Sequence, residues 1–299
     1  MADSVIDQIV ANLRQNALTT FPGHTELRNV RVVGHTPKTD HYIYDVVVDF
    51  ADASQRVAAK VYRTSKCGQQ GARSLARTEA ANLEHVYGLF QKKELAGVPR
   101  PVGNFTELGA VVAEKFGGMP LQSIVMKAAL LPGYANHGVL GLAARKAGEW
   151  LRGFHKVTAN MPSPCDTDKL LDELEQLCIS CRGEGLDDGA IRTILTGARV
   201  ALSRAKKTLP SSAVLNDFTP LNLIVGEQGV GICDYAKMTQ RGLSYNDAAQ
   251  FLACVEALEK YPFCNRDLTT CVQQEFVAGY NITAAEQGVL RVLKMKALL

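Results

Sequence analysis

The spacing of apolar and polar positions divides the first third of the chain into strands and a helix. Within residues 29–63 the stretches "NVRVVGH", "HYIYDVVVDF" and "RVAAKVYR" are rich in β-branched and aromatic residues. They are separated by the turn-forming stretches "TPKTD" and "ADASQ". Runs of this kind, bounded by turn residues, predict three antiparallel strands.

From residue 74 the period becomes helical. "SLARTEAANLEHVYGLFQKK" places apolar residues such as Leu83, Val86 and Phe90 at the spacing of an amphipathic helix. "GVPRPVGNF" ends that helix, and "AVVAEKF" predicts one more strand. The following "GGMP", residues 117–120, predicts a flexible turn that serves as a hinge.

Beyond this hinge the pattern is mostly helical, apart from two short strands near residues 214–233. The chain therefore predicts an α+β protein in two parts. Residues 1–116 form a small sheet with one helix, and residues 117–299 form a mainly helical part. We find no internal repeat and no low-complexity segment.

Composition narrows the class of protein. The 299 residues are 46% hydrophobic and carry a net charge of +3, which is ordinary for a globular protein. No basic block with interleaved aromatic residues is present, so we expect no nucleic-acid partner. The uncharged stretch 128–144 contains Pro132 and Gly133 and makes a poor membrane span. Eight cysteines without an export signal lead us to expect reduced thiols and a cytoplasmic protein.

Three oxygen-bearing side chains stand out in "VLNDFTPLNLIV" and "CDYAK". Asp217, Asn222 and Asp234 lie beside the apolar runs that predict the two short strands. A carboxylate beside a buried strand is unfavourable unless it is paired or holds a metal ion. This arrangement indicates a cation site.

The order of these features resembles the protein-kinase-like fold and, more closely, the aminoglycoside phosphotransferase superfamily of small-molecule kinases. The resemblance covers roughly residues 28–260, and six motifs in the right order are more specific than any one alone. The motifs are Lys60 in "VAAKVYR", Glu79 in "ARTEAANLEHV", the hinge "EKFGGMPL", His155 in "WLRGFHKV", "NDFTPLN" and "ICDYAK".

This resemblance implies a bilobal protein-kinase-like fold, with a small antiparallel-sheet N-lobe and a mostly helical C-lobe. It implies transfer of the γ-phosphate of ATP or GTP, with Mg²⁺, to a hydroxyl group of a small molecule such as a sugar, amino sugar, aminoglycoside or amino alcohol. In phosphoryl transfer the protein mainly holds the phosphates, neutralises their charge and positions the hydroxyl.

The resemblance also implies residue roles. Lys60 would hold the nucleotide phosphates, and Glu79 would pair with it, with Glu84 as the rival. The hinge backbone of Glu114, Lys115 and Phe116 would contact the nucleotide. Asp217 would be the catalytic residue that orients the attacking hydroxyl, and Asn222 and Asp234 would bind Mg²⁺. His155 and Asp247 would be structural, with Asp247 capping the next helix and bracing the catalytic loop.

Two departures from the family pattern keep an alternative open. Leu215-Asn216 replaces the usual His-Gly before the catalytic aspartate, although Asn tolerates unusual backbone angles. The nucleotide loop has one glycine, Gly34, so Thr36, Lys38 or Thr39 would have to help hold the phosphates. The alternative is a pseudokinase, a nucleotide-responsive binding module without turnover. A protein kinase is disfavoured because no APE-like segment follows Asp234.

The acceptor is less constrained. In this superfamily the segment between "FHKV" and the catalytic loop builds the acceptor site. Here the part from residue 165 to 188 carries eight acidic residues against Lys169 and Arg182. It indicates either a mouth for a cationic acceptor or a solvated helix face. Cys178 and Cys181 in this segment form a CxxC pair, which we interpret as packing residues because no second pair completes a zinc site.

Overall fold

The computed structural model describes residues 2–131, 136–227, 229–284 and 286–299. It contains two compact units. The first unit comprises Met1–Phe116 and Cys233–Ala236, and the second comprises Gly117–Ile232 and Lys237–Leu299. The sequence predicts a single boundary at the hinge, whereas four residues that follow the last buried strand of the second unit return to the first.

The first unit is built on a four-stranded antiparallel sheet in the order β1-β2-β3-β4. The strands are β1 Leu27–Pro37, β2 His41–Phe50, β3 Ser54–Tyr62 and β4 Ala110–Glu114. Strand β3 is paired on both sides, with Lys60 opposite Ile43 of β2 and opposite Val111 of β4. Lys60 therefore lies on a central strand, where its charge is removed from bulk water.

Two helices cover this sheet. Helix α1, Ala2–Thr20, contributes Ile6, Ile9 and Leu13 to the core of the first unit, at the spacing of one helix face. Helix α2, Thr64–Lys92, starts ten residues before the predicted helix and is kinked at Gly68, whose φ is 70°. Its buried face includes Glu79, which the sheet side of the helix carries toward β3.

The second unit consists mainly of helices. They are α3 Leu121–Leu130, α4 His137–Val157, α5 Thr167–Ser180, α6 Asp188–Leu202, α7 Tyr245–Glu256, α8 Arg266–Tyr280 and α9 Gln287–Leu298. Four of them begin with a side chain that accepts a hydrogen bond from the first turn, the usual way of satisfying free N–H groups there. These N-cap residues are Asn136, Asp166, Asp187 and Asn265.

Two small antiparallel sheets support the loops of the second unit. One has the order β10-β7-β6 and the other the order β5-β8-β9. Their strands are β5 Met119–Pro120, β6 Ala159–Pro164, β7 Thr208–Val214, β8 Leu223–Gly226, β9 Gly229–Ile232 and β10 Thr239–Leu243. The second unit is thus mainly helical, as predicted, but holds more strands than the two that the sequence indicates.

Helices α4 and α8 cross at two glycines. A Cβ atom built on Gly148 would lie 2.3 Å from the carbonyl oxygen of Phe276, and one on Gly279 would lie 2.1 Å from that of Arg145. Only glycine permits this approach of the two backbones. The close crossing holds α4 firmly, and α4 carries His155 in its last turn.

The structure also bears on the expectations about a membrane span and about the cysteines. Among the residues in the described ranges, no helix is long and apolar enough to cross a membrane. Part of the uncharged stretch, residues 132–135, lies outside those ranges. All eight cysteines are free thiols, and Cys178 is buried among apolar residues of α5.

Candidate active site

The first unit brings Lys60, Glu79 and Asp234 into one cluster. The Lys60 ammonium lies 3.0 Å from Glu79 Oε1 and 3.0 Å from Asp234 Oδ2. Tyr62, two residues along β3, donates from its hydroxyl to Glu79 Oε2 at 2.6 Å. Glu79 is therefore the partner of Lys60, as predicted, and the rival Glu84 is exposed.

Burial makes this cluster electrostatically tight. Lys60 is 9% exposed and Glu79 is 2% exposed. Burial alone lowers the pKa of Lys60, but the charges of Glu79 and Asp234 outweigh it and raise the pKa above the ordinary value. Burial likewise raises the pKa of Asp234, and the Lys60 charge reverses this and lowers it. The lysine is a cation and Asp234 an anion at neutral pH.

The returning segment Cys233–Ala236 is held by α2. The side chain of Asn82 donates to the carbonyl of Tyr235 at 3.0 Å, and the Tyr235 N–H donates to Glu79 Oε1 at 3.4 Å. Tyr235 itself is 1% exposed. These contacts fix the backbone that directly follows Asp234, whose carboxylate lies next to Lys60.

Two of the three N–H groups of the predicted hinge, at Glu114, Lys115 and Phe116, already donate hydrogen bonds within the first unit. The N–H of Glu114 donates to the carbonyl of Arg100, and the N–H of Lys115 donates to that of Arg56, both at 2.9 Å. Of the three residues predicted to contact a nucleotide, only Phe116 has an N–H without a hydrogen bond to the described residues of the chain. The predicted contact therefore narrows to the Phe116 N–H and the hinge carbonyls.

In the second unit, the loop between β7 and β8 carries Asp217 and Asn222. Asn216 has a positive φ of 56°, a conformation that Asn adopts more readily than most residues. Its side chain donates to the carbonyl of Lys237 at 3.0 Å. Asn216 thus adopts an unusual backbone angle of the kind that asparagine tolerates.

Asp247 braces this loop from α7. Its carboxylate, which is completely buried, accepts hydrogen bonds from the N–H groups of Leu215 and Asn216, both at 2.9 Å. His155 contacts the same carboxylate at 3.1 Å and the Tyr280 hydroxyl at 2.8 Å. The predicted bracing role is present. The predicted capping role is wrong, because Ser244 occupies the N-cap position of α7 and both Asp247 oxygens are directed to the loop and to His155.

Sequence reasoning missed Lys237. Its ammonium lies 3.0 Å from Asp217 Oδ2, and the lysine side chain is 65% exposed. The signal was available, since Lys237 follows Asp234 by three residues in the "DYAK" motif. The side-chain amide of Asn222 donates to the backbone carbonyl of Asp217 at 3.0 Å, which closes the loop.

Asp234 and Asn222 are of the right chemistry for Mg²⁺. In the described part of the chain, no three His, Cys, Asp or Glu side chains gather into a protein-only metal site. Mg²⁺ in nucleotide enzymes usually takes one or two protein oxygens, with phosphates and waters completing its shell. Asp234 Oδ1 accepts from the Ala236 N–H at 2.9 Å and Oδ2 from Lys60. A carboxylate has about four acceptor positions, so capacity remains.

The acidic segment is partly neutralised by the fold. Asp166 and Asp187 cap α5 and α6. Glu173 forms an ion pair with Lys296 of α9, and Asp188 pairs with Arg182 at 3.0 Å. Half of the eight acidic residues therefore have structural partners, which favours a solvated helix face over a mouth for a cationic acceptor.

Comparison with known proteins identifies structures that share the fold of this chain. No protein-family model matches the chain, and no curated protein sequence matches it. Solved structures do match. A glucosamine kinase in complex with glucosamine, ADP and inorganic phosphate is 13% identical with a TM-score of 0.52, over 94% of this chain and 87% of that one.

Two further structures agree. A spectinomycin phosphotransferase in complex with ADP and spectinomycin is 12% identical with a TM-score of 0.52, over 97% of this chain and 84% of that one. An amicoumacin kinase in complex with AMP-PNP and Ca²⁺ is also 12% identical with a TM-score of 0.52, over 96% and 82%. The chain thus has the protein-kinase-like fold of the small-molecule phosphotransferases, and the fold class predicted from the sequence is confirmed.

Proposed function

We propose that the chain is a phosphotransferase that moves the γ-phosphate of ATP or GTP to a hydroxyl group of a small molecule. The observation that carries the proposal is the position of Lys60 Nζ, 3.0 Å from both Glu79 and Asp234. A lysine aimed by a helix glutamate, beside an aspartate able to hold a metal, is the arrangement that phosphoryl transfer needs on the nucleotide side.

Each residue then has a role in the proposal. Lys60 binds the nucleotide phosphates, while Glu79 and Tyr62 keep its ammonium in place. Asp234 and Asn222 hold Mg²⁺, which neutralises the charge of the phosphates. Asp217 orients the acceptor hydroxyl. Lys237 neutralises Asp217 before the acceptor binds, and must release its carboxylate for the reaction.

The relatives in fold support a broad acceptor class. The matched structures include kinases of an amino sugar and of two antibiotics. We propose a sugar, amino sugar, aminoglycoside or amino alcohol as acceptor, and the free thiols support a reaction in the cytoplasm. A pseudokinase is the second candidate, favoured by the Lys237–Asp217 ion pair, which occupies the catalytic carboxylate.

Two substitutions test the proposal. Asp217→Asn keeps the shape of the side chain and removes the charge that orients the hydroxyl. Nucleotide affinity stays the same, while kcat falls by roughly 10³-fold, about 4 kcal/mol of barrier. Asp234→Asn weakens Mg²⁺-dependent nucleotide binding as well as turnover. Calorimetry with and without Mg²⁺, and release of ADP or GDP with pooled acceptors, measure the two effects.

The controls separate the two candidates. The control is Asp267→Asn, a change of an exposed aspartate in the first turn of α8, which keeps both nucleotide binding and turnover. A wild-type protein that binds Mg²⁺-nucleotide but releases no diphosphate with any acceptor is a pseudokinase. If both aspartate variants lose turnover and nucleotide affinity equally, the proposed roles of Asp217 and Asp234 are incorrect.

A further inference from the structure

A cavity of about 580 Å³ lies in the second unit, on the side of His155 where α4 ends. Its walls come from the last turns of α4, from β6 and β7, from the start of α7 and from the end of α8. None of the residues with a named role above in binding the nucleotide, the metal or the acceptor hydroxyl lines it. Its β6 and β7 walls belong to the segment between "FHKV" and the catalytic loop, but to a part that lies outside the acidic stretch 165–188.

The cavity wall carries an excess of positive charge. Arg152, Lys156 and Lys206 line it against a single carboxylate, Glu286. Lys206 is already paired with Glu286 at 2.9 Å. Arg152 and Lys156, one helical turn apart on α4, form no ion pair with any carboxylate of the described residues. Two uncompensated cations thus face one space.

A buried hydroxyl in the same wall lacks a partner. Ser211 of β7 is 3% exposed, and its Oγ forms no hydrogen bond with the described part of the protein. The neighbouring hydroxyls of Ser212 and Ser244 bond to each other at 2.8 Å. Buried polar atoms are nearly always hydrogen-bonded, and an exception next to a cavity points to a ligand atom or a water.

We propose that this cavity binds a small organic phosphate, with Arg152 and Lys156 pairing with the phosphate group and Ser211 donating its hydroxyl proton to a phosphate oxygen. A phosphate offers several acceptor oxygens and a double negative charge, which match two cations and a donor. The volume lies in the range of small-molecule sites and leaves room for the organic part of the ligand.

The wall is connected to the catalytic loop by hydrogen bonds. His155 and Tyr280 line the cavity and bond to each other at 2.8 Å. His155 continues to Asp247, which holds the N–H groups that precede Asp217. A bound phosphate beside His155 changes the charge at the start of this chain of hydrogen bonds. We therefore expect a bound phosphate to alter turnover. This effect on turnover rests on the proposed function, whereas binding of the phosphate to the cavity does not.

Calorimetry on the full chain without nucleotide tests the binding. Glycerol 3-phosphate is the probe, inorganic phosphate tests the anion alone, and glycerol is the neutral control. We expect glycerol 3-phosphate to bind and glycerol not to bind. The double variant Arg152→Gln/Lys156→Gln weakens the binding by about tenfold or more. Arg192→Gln, an exposed change on α6, leaves it as in the wild type.

Ser211→Ala separates a binding role from a structural one. Because its hydroxyl has no partner among the described residues, the variant keeps the thermal midpoint of the wild type but binds glycerol 3-phosphate about tenfold more weakly. Equal affinity of wild type and double variant overturns the proposal, and so does equal binding of glycerol. Absence of binding by the wild type at millimolar glycerol 3-phosphate does the same. None of these outcomes depends on whether the chain transfers phosphate.

Discussion

Lys60→Ala is predicted to lower the stability of the first unit markedly. It removes the cation from a cluster in which Glu79 is 2% exposed and the Asp234 side chain is 21% exposed. Removing one partner of a buried pair leaves a buried charge, at a cost of about 3–5 kcal/mol. Asp234 keeps some contact with water, so we expect the lower end, about 3 kcal/mol of unfolding free energy at pH 7.5.

The loss depends on pH, and its sign follows from the pKa shifts. In the wild type the raised pKa of Lys60 means that its contribution is present below the ordinary value of 10.5 and lost as pH rises beyond it. In the variant, burial without a cation raises the pKa of Glu79 further above 4.5. The folded variant then takes up a proton as pH falls, so its deficit is largest near neutral pH and shrinks toward about pH 5.

Hydrogen exchange in peptides from β2 and β3, together with urea unfolding followed by circular dichroism between about pH 5 and pH 8, measures this deficit. Lys115→Ala is the matched control. Lys115 pairs with Asp45 at 2.5 Å but is 35% exposed, and Arg56 contacts the same carboxylate. Its loss costs less than about 1 kcal/mol. Wild-type stability of Lys60→Ala at pH 7.5, or a deficit that grows as pH falls, would refute the reasoning.

Three further predictions follow from particular residues. Gly148→Ala and Gly279→Ala force α4 and α8 apart and lower the unfolding free energy by at least about 1–3 kcal/mol. The control is Gly197→Ala, at a helical glycine of α6 with open space around it, which leaves the unfolding free energy equal or higher. Thermal midpoints of the two crossing variants equal to that of the wild type would contradict the close crossing. Hydrogen bonds from Thr283, Lys206 and Tyr245 outweigh burial and lower the pKa of Glu286 to about 2. Glu286→Gln therefore lowers the unfolding free energy by up to about 3 kcal/mol above pH 4.5, and by progressively less as pH falls toward 2. Urea unfolding across that pH range measures the difference. If Asp172 and its acidic neighbours attract a cationic acceptor, kcat/KM falls with added salt, because screening limits exposed charges to about 8 Å at physiological ionic strength; a rate independent of salt supports the solvated helix face.

The sequence predicted the sheet of the first unit and the order of its motifs because these elements have strong local signals. Strand β2 is dense in β-branched residues, β3 has a buried apolar run that contains Val57 and Val61, and Leu83 and Phe90 mark the buried face of α2. The apolar flanks of Lys60 indicated that its charge needs a partner. The resemblance then indicated that this partner is Glu79.

Other features had no local signal. Strand β6, "ANMPSP", contains two prolines and is mostly exposed, so neither composition nor alternation distinguishes it from a loop. Strand β10 is also exposed and pairs across a bulge. The Lys237–Asp217 pair and the neutralisation of Glu173 by Lys296 depend on distant parts of the chain meeting, which spacing alone does not indicate.

The return of Cys233–Ala236 to the first unit has a consequence for synthesis of the protein. Domains generally fold from the N-terminus as the ribosome releases them. Here the first unit lacks the segment Cys233–Ala236 until residue 236 has been made. The backbone of Tyr235 bonds to Asn82 and Glu79 of α2, and Asp234 completes the charges around Lys60.

A nascent chain ending at Phe116 therefore carries Lys60 and Glu79 without Asp234. It also lacks the Tyr235 carbonyl to which Asn82 of α2 donates. The first unit is therefore completed only after most of the second has been made, although the second itself ends later, at Leu299. Completion of the first unit requires the synthesis of more than a hundred residues of the second unit, and during that interval Lys60 and Glu79 lack Asp234 beside them.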